Sequence, residues 1–261
     1  MLRKGDLTQG GITGTLLHFT LPMMVGSFLQ QCYNIADTLI VGQCIGAGAL
    51  AAVGSAYTLM VFLISVLLGL AMGSGTVFSL HYGAGNHVAL RRSIFSSFVL
   101  IGIVTLILNV AVFIWLDPIL RLLQVPQDIY GMMRSYLWII FCGIVFTFIY
   151  NFYASLLRAV GDSVTPLWFL AVSVVLNIAL DLFFILQLDW GIQGAAAATV
   201  LAQGVAALGI IIYTYRRRPE LRWHHEDMCF DRTCLKEIAS FSTLTCIQQS
   251  VMNLGILMVQ G

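Results

Sequence analysis

Long apolar runs, separated by short polar breaks, dominate the chain. They fall at about 14–42, 50–80, 93–116, 130–157, 164–187 and 193–215, and a further run starts near 236 and reaches residue 261. A helix needs about 20 predominantly apolar residues to cross the hydrocarbon core of a bilayer. The pattern therefore predicts an all-α, polytopic membrane helix bundle with six complete transmembrane helices and a truncated seventh. Pro22 lies inside the first run, where a bundle tolerates it. The one long polar connection mixes both charge signs and contains Pro219, His224 and His225. It is read as a solvated linker. The expected organisation is a six-helix lobe over 1–215, a cytoplasmic linker over 216–235, and the start of a second lobe over 236–261. An internal echo supports two lobes. Gln30-Gln31 is followed by Leu39 and Val41, and Gln248-Gln249 by Leu257 and Val259 at the same spacing. Internally repeated halves are common among transporters.

Composition sharpens this picture. The chain is 59% hydrophobic and 10% charged, against about 25% charged residues in a soluble domain. The net charge of +1 leaves no basic footprint for nucleic acid. Cys229 and Cys234 form a lone C-x4-C, too few ligands for a structural zinc site. The apolar run behind Arg3 and Lys4 is too long for a signal peptide and is read as the first membrane helix. With the N-terminus in the cytoplasm, only Arg121 and Arg134 of the 13 Lys and Arg residues fall outside. That asymmetry predicts a multi-pass protein of the cell membrane with a cytoplasmic N-terminus.

Two acids change the functional picture. Asp37 and Asp181 lie deep in otherwise uncharged apolar segments. A carboxylate there costs roughly 2.5–3.5 kcal/mol even on the lenient insertion scale, and such residues commonly handle ions or protons. Counting about 1.5 Å per residue places both acids about 8–9 Å below the outer boundary. Thr199 on the sixth run and Tyr136 on the fourth fall at similar depth. Gln30, Asn34 and Asp37 share a face at i, i+4, i+7, and Asn177 and Asp181 are i, i+4. Oxygens of this kind suit a hard cation or a protonated acid equally. The expected coupling site is Asp37, Asn177, Asp181 and Thr199, for a proton or sodium, with no other metal and no cofactor. Gln30, Asn34, Tyr136 and Asn151 are the polar candidates for a substrate cavity. Phe146, Phe148, Tyr150 and Phe152 either line that cavity or pack the bundle.

The strings ADTLIVGQCIGAGALAAVG (36–54), HYGAGN (81–86), LLRAVGDSVTP (156–166), LNIALDLFFI (176–185) and WGIQGAAAATV (190–200) resemble the multidrug and toxic compound extrusion (MATE) family, in order, from about Thr8 onward. The resemblance implies two six-helix lobes and export of cationic or amphipathic compounds against proton or sodium entry. It implies that Asp37 is the family's first-helix acid, Asn177 and Asp181 its fifth-helix pair, and Thr199 their sixth-helix partner. Tyr136, Asn151 and Gln30 match further cavity positions. The expected partners are a small amphipathic substrate, the lipid bilayer and a C-terminal lobe missing from this sequence. Three alternatives differ in what they require. A lipid-linked oligosaccharide flippase of the same superfamily would need basic residues in its cavity, and the spans hold almost none. An intramembrane aspartyl protease would need a G-x-G-D context that Asp181 lacks, so no enzymatic activity is expected. A non-transporting membrane fragment is the third.

Overall fold

The computed structural model describes residues 12–222 and 232–260. Arg3, Lys4, His224, His225 and Cys229 lie outside the described residues, as do the side chains of Leu257 and Val259. The described residues form helices and no strands. In chain order these are α1 (Ile12–Cys44), α2 (Ala47–Gly83), α3 (His87–Leu122), α4 (Gln127–Cys142), α5 (Ile144–Ala159), α6 (Val164–Leu182), α7 (Gly191–Arg217) and α8 (Arg232–Gln260). A π-helical turn, Phe183–Gln187, extends α6, and a 3-10 turn, Pro219–Leu221, follows α7.

The short breaks have local causes. Gly46, at φ +116°, ends the α1–α2 connection, and Gly85, at φ +69°, turns α2 into α3. A backbone at such positive φ is where Gly carries no Cβ penalty. Next to Gly85, Asn86 accepts the Ala89 N–H at 3.1 Å and caps α3. HYGAGN is thus a helix end, a turn and an N-cap in six residues. In LLRAVGDSVTP, Asp162 plays the capping part, accepting from the Thr165 N–H at 3.0 Å and the Thr165 hydroxyl at 2.9 Å.

Four helices, α2, α3, α6 with its π turn, and α7, are long and apolar enough to cross a membrane, or five spans if α4 and α5 count as one. The fourth expected span is therefore not one helix. It is two, bent by 48° between Cys142 and Ile144. Gly143 sits at the break, where a Cβ would meet Val200 of α7 at 2.5–3.0 Å. Asn109 of α3 donates to the Phe141 carbonyl freed by the bend, at 2.9 Å. α1, at 33 residues, is long enough to span but is interrupted by Gln30, Gln31, Asn34, Asp37 and Thr38. α8 carries a similar polar load.

α2 lies at the centre, packed against α1, α3, α4, α5 and α8, while α7 packs on α4, α5 and α6. The core contains an aromatic cluster, with Phe98–Phe152 ring centroids at 5.3 Å and Phe148–Phe152 at 6.0 Å. Phe148 and Phe152 are buried there, so they pack the bundle. Tyr150 donates its hydroxyl to the Pro166 carbonyl at 3.0 Å. On the outer surface of the bundle, Ile103, Leu106, Ile107, Val110 and Ile114 form an exposed apolar stripe on α3. A stripe of this kind would be a liability in water and is the expected face toward lipid.

In the described part of the polar connection Arg216, Arg217, Pro219 and Arg222 are exposed, while Leu221 anchors it. Leu221 is 4% exposed, lying with Ile94, Tyr153 and Leu156, and the Arg222 guanidinium donates to the Tyr215 carbonyl. Arg218 reaches Asp162 at 3.5 Å and Glu220 at 3.6 Å. Local ion pairing and one apolar anchor hold this turn against α3, α5 and α7.

Candidate functional site

Asp37 and Asp181 face each other between α1 and α6, buried within the bundle. Each carboxyl lies within electrostatic reach of the other, and the two residues are 8% and 0% exposed. The i, i+4 spacing turns Asn177 toward Asp181. In the amide orientation that satisfies both ends, Asn177 donates to Asp181 Oδ2 at 3.0 Å and accepts the Thr199 N–H at 3.2 Å. The reverse orientation gives a 3.3 Å bond from the amide to Thr199 Oγ1. Such amide orientations are assigned from the network, and here each gives Asn177 a partner on α7. Tyr136 of α4 is buried and lies within electrostatic reach of both acids. The structure thus brings Asp37, Asn177, Asp181, Thr199 and Tyr136 together from four helices.

Tyr33 completes the cluster. Its hydroxyl lies 3.2 Å from Thr199 Oγ1, and its ring is within electrostatic reach of both carboxyls. Sequence reasoning missed it, although Tyr33 and Asp37 are i, i+4 and share a helix face. The π turn beginning at Phe183 was also missed. It begins two residues past Asp181 and continues α6; π turns recur at functional sites.

The remaining polar candidates lie elsewhere. Gln30 is exposed, and Asn34 donates to Gln31 at 3.1 Å. Along the i, i+4, i+7 stripe exposure therefore falls from Gln30, exposed, through Asn34, half-buried, to Asp37, buried. Asn151 donates to the Thr147 carbonyl at 2.8 Å, and Thr147 bonds Gln203 across to α7. These three make a separate half-buried polar patch below the helix break.

The chemistry of the cluster is set by what lacks a partner. Asp37 Oδ1 and Asp181 Oδ1 are both buried without a hydrogen bond. Two neighbouring carboxylates repel, and a shared proton or a bound cation relieves that repulsion. Among the described residues, no group of three or more His, Cys, Asp or Glu stands ready for a transition metal. The donor set is oxygen-only, which suits a proton or a hard cation.

Fold and cluster together define a polytopic helical membrane protein with a buried acid pair. The MatE family model matches residues 22–183, and the chain belongs to that family of transporters. It is 37% identical over 217 residues to the probable multidrug resistance protein YpnP of Bacillus subtilis (strain 168), covering 83% of this chain and 49% of that protein. It is 31% identical over 210 residues to the multidrug export protein MepA of Staphylococcus saprophyticus subsp. saprophyticus, covering 77% and 45%. The chain spans about half the length of these relatives. Among solved structures, it overlays on an outward-facing conformation of a multidrug resistance MATE family transporter of the MOP superfamily with a TM-score of 0.91, at 24% identity, over 98% of this chain and 57% of the other.

Proposed function

We propose that this chain supplies the first lobe of a proton- or sodium-coupled antiporter that exports amphipathic or cationic organic compounds across the cell membrane, with the N-terminus in the cytoplasm. The observation that carries the reading is the burial of the neighbouring Asp37 and Asp181 carboxyls, each with an unpartnered oxygen. A site of this kind gains by taking up a cation and is left strained without one. That difference is the free energy a coupling site needs in order to favour one conformation of a carrier over another. Asn177, Thr199, Tyr33 and Tyr136 hold the acids' geometry and offer the ligands or hydrogen bonds that complete an ion's shell. The kinship with proteins named for multidrug resistance and multidrug export supports the substrate class. The second lobe, matching the other half of those relatives, supplies the opposing wall.

The test is efflux by the intact two-lobe protein in proteoliposomes, with proton and sodium gradients imposed separately. Asp37→Asn and Asp181→Asn keep the side chain's shape and remove its ability to ionise. Each is expected to abolish gradient-driven efflux while leaving expression and membrane insertion near the parent level. Full gradient-driven efflux by either variant would eliminate that carboxylate as a coupling group.

A further inference from the structure

We propose that the outer groove between α6 and α7 binds an anionic phospholipid of the cytoplasmic leaflet, with its acyl chains along the two helices and its phosphate among Arg216, Arg217, Trp168 and Tyr213. The choice of leaflet rests on the orientation proposed above; the groove and its charge do not.

α6 and α7 each carry one long exposed apolar stripe. On α6 it runs through Val164, Trp168, Val172 and Val175, between 37% and 69% exposed. On α7 it runs through Leu201, Val205, Leu208 and Ile212, between 48% and 57% exposed. Steps of three and four residues keep each stripe on one helix face. The two stripes border the same contact. Phe169, next to Trp168, packs on Gly209, where a Cβ would meet its ring at 2.6 Å. Its ring centroid lies 6.2 Å from that of Tyr213, next to Ile212. α6 and α7 run antiparallel, so the steps from Phe169 back to Trp168 and from Tyr213 back to Ile212 turn to the same side of the pair. The result is an apolar groove open to the outside of the bundle, with aromatic rings as its floor.

The basic end of this groove holds charge that the chain leaves unmatched. Arg216 continues the α7 stripe one turn past Ile212, and both Arg216 and Arg217 are exposed. Neither meets a carboxylate among the described residues; Asp162 and Glu220 are both taken by Arg218, at 3.5 and 3.6 Å. α7 has 27 residues, and Arg216 lies about 18 Å beyond its middle at Gly204. Half the hydrocarbon core is about 15 Å thick, so the guanidinium falls at the level of the phosphates. Trp168 lies at the matching end of α6, where an indole suits the headgroup layer, and the Tyr213 hydroxyl a turn before Arg216. Two guanidiniums with two neutral donors fit a phosphate diester, and basic clusters at the membrane edge attract anionic lipid. A zwitterionic headgroup would bring its own cation to the same arginines, so the site prefers net negative charge. The groove joins the helices that bring Asn177 and Asp181 to Thr199, and a lipid seated there braces that cluster from outside.

The test is lipid binding by the intact two-lobe transporter, which needs no gradient. Purified protein is stripped of lipid, given phosphatidylglycerol or phosphatidylcholine of matched acyl chains, and read by native mass spectrometry. Phosphatidylglycerol is expected to be retained at least tenfold better. Arg216→Gln with Arg217→Gln should erase that preference, and Arg216→Lys with Arg217→Lys should keep most of it. Leu208→Trp, which fills the groove and leaves both arginines, should weaken retention. Equal retention of the two lipids, or an undiminished preference in the double Gln variant, would overturn the site. Inorganic phosphate is the second probe. Displacement of the lipid by millimolar phosphate, with Leu208→Trp retaining lipid as well as the parent does, would make this a free-anion site and overturn the lipid assignment. Vesicles give the functional readout. Efflux should rise at least threefold when phosphatidylglycerol replaces a third of the phosphatidylcholine, except in the double Gln variant. An equal rise in that variant would overturn the bracing role. No efflux from any vesicle would sink the transport reading and leave the lipid site standing.

Discussion

Thr199 is the residue on which the polar cluster turns. It meets the Tyr33 hydroxyl from α1 and the Asn177 amide from α6, so it ties α7 to both acid-bearing helices. An interhelical hydrogen bond in a membrane is worth about 0.6 kcal/mol on average, about a threefold effect. Tyr33→Phe removes one such bond and keeps the ring. It is expected to weaken apparent coupling-ion affinity in efflux assays about threefold, with Thr199→Val weakening it further because two partners lose their contact. An unchanged ion dependence in Thr199→Val would show that the threonine only packs. Far from the acids, Arg134 finds a local partner. Arg134 makes a two-pronged pair with Asp117 at 2.8 and 3.3 Å, and Tyr130 donates to the same carboxylate at 2.8 Å. The Arg134 charge is thereby balanced within its own end of the bundle.

At the scale of elements, the break between α4 and α5 decides the shape of the site. α4 presents Tyr136 to the acids, and α5 carries Thr147 to Gln203. Gly143 permits the close approach of Val200, and Asn109 takes up the Phe141 carbonyl. Gly143→Ala forces a Cβ into Val200 and is expected to cost about 1–3 kcal/mol, the usual range for overpacking. Thermal unfolding in detergent should show the loss, and Val200→Ala should restore most of it. A neutral Gly143→Ala would mean that α7 yields at this contact. Asn109→Leu strands the Phe141 carbonyl in a buried setting, at about 1–3 kcal/mol, and the same assay reads it.

At the scale of the whole molecule, orientation and self-sufficiency are the open quantities that experiment can reach. Cys44 is exposed in the last turn of α1. With the N-terminus inside, a membrane-impermeant maleimide added to intact cells should label a variant whose sole cysteine is Cys44. Labelling only after permeabilisation would invert the topology. The 261-residue chain by itself should insert into liposomes without exporting drugs, because alternating access needs one half moving against another around a shared site. Gradient-driven efflux by a crosslink-verified monomer would overturn that expectation; efflux confined to a dimer would mean that two copies supply the two walls.

The apolar runs by themselves determined the class of fold, because a segment of about 20 apolar residues has few homes other than a membrane helix. They also singled out Asp37 and Asp181, since a lone acid in such a run is conspicuous whatever surrounds it. Helical spacing ties Asn177 to Asp181, and the same i, i+4 step ties Tyr33 to Asp37. What spacing cannot carry is the direction a helix face takes once helices pack. Gln30 shares α1 with Asp37, yet α6 covers only part of that helix and leaves Gln30 exposed. The bend at Gly143 was hidden for the same reason. A single glycine in an apolar run reads as a packing residue, and only Val200 of α7 and Asn109 of α3, distant in sequence, make it a corner. The pairing of the two carboxyls depends on how α1 and α6 lie together, and that arrangement belongs to the tertiary structure, where the contacts of every other helix have been satisfied at once.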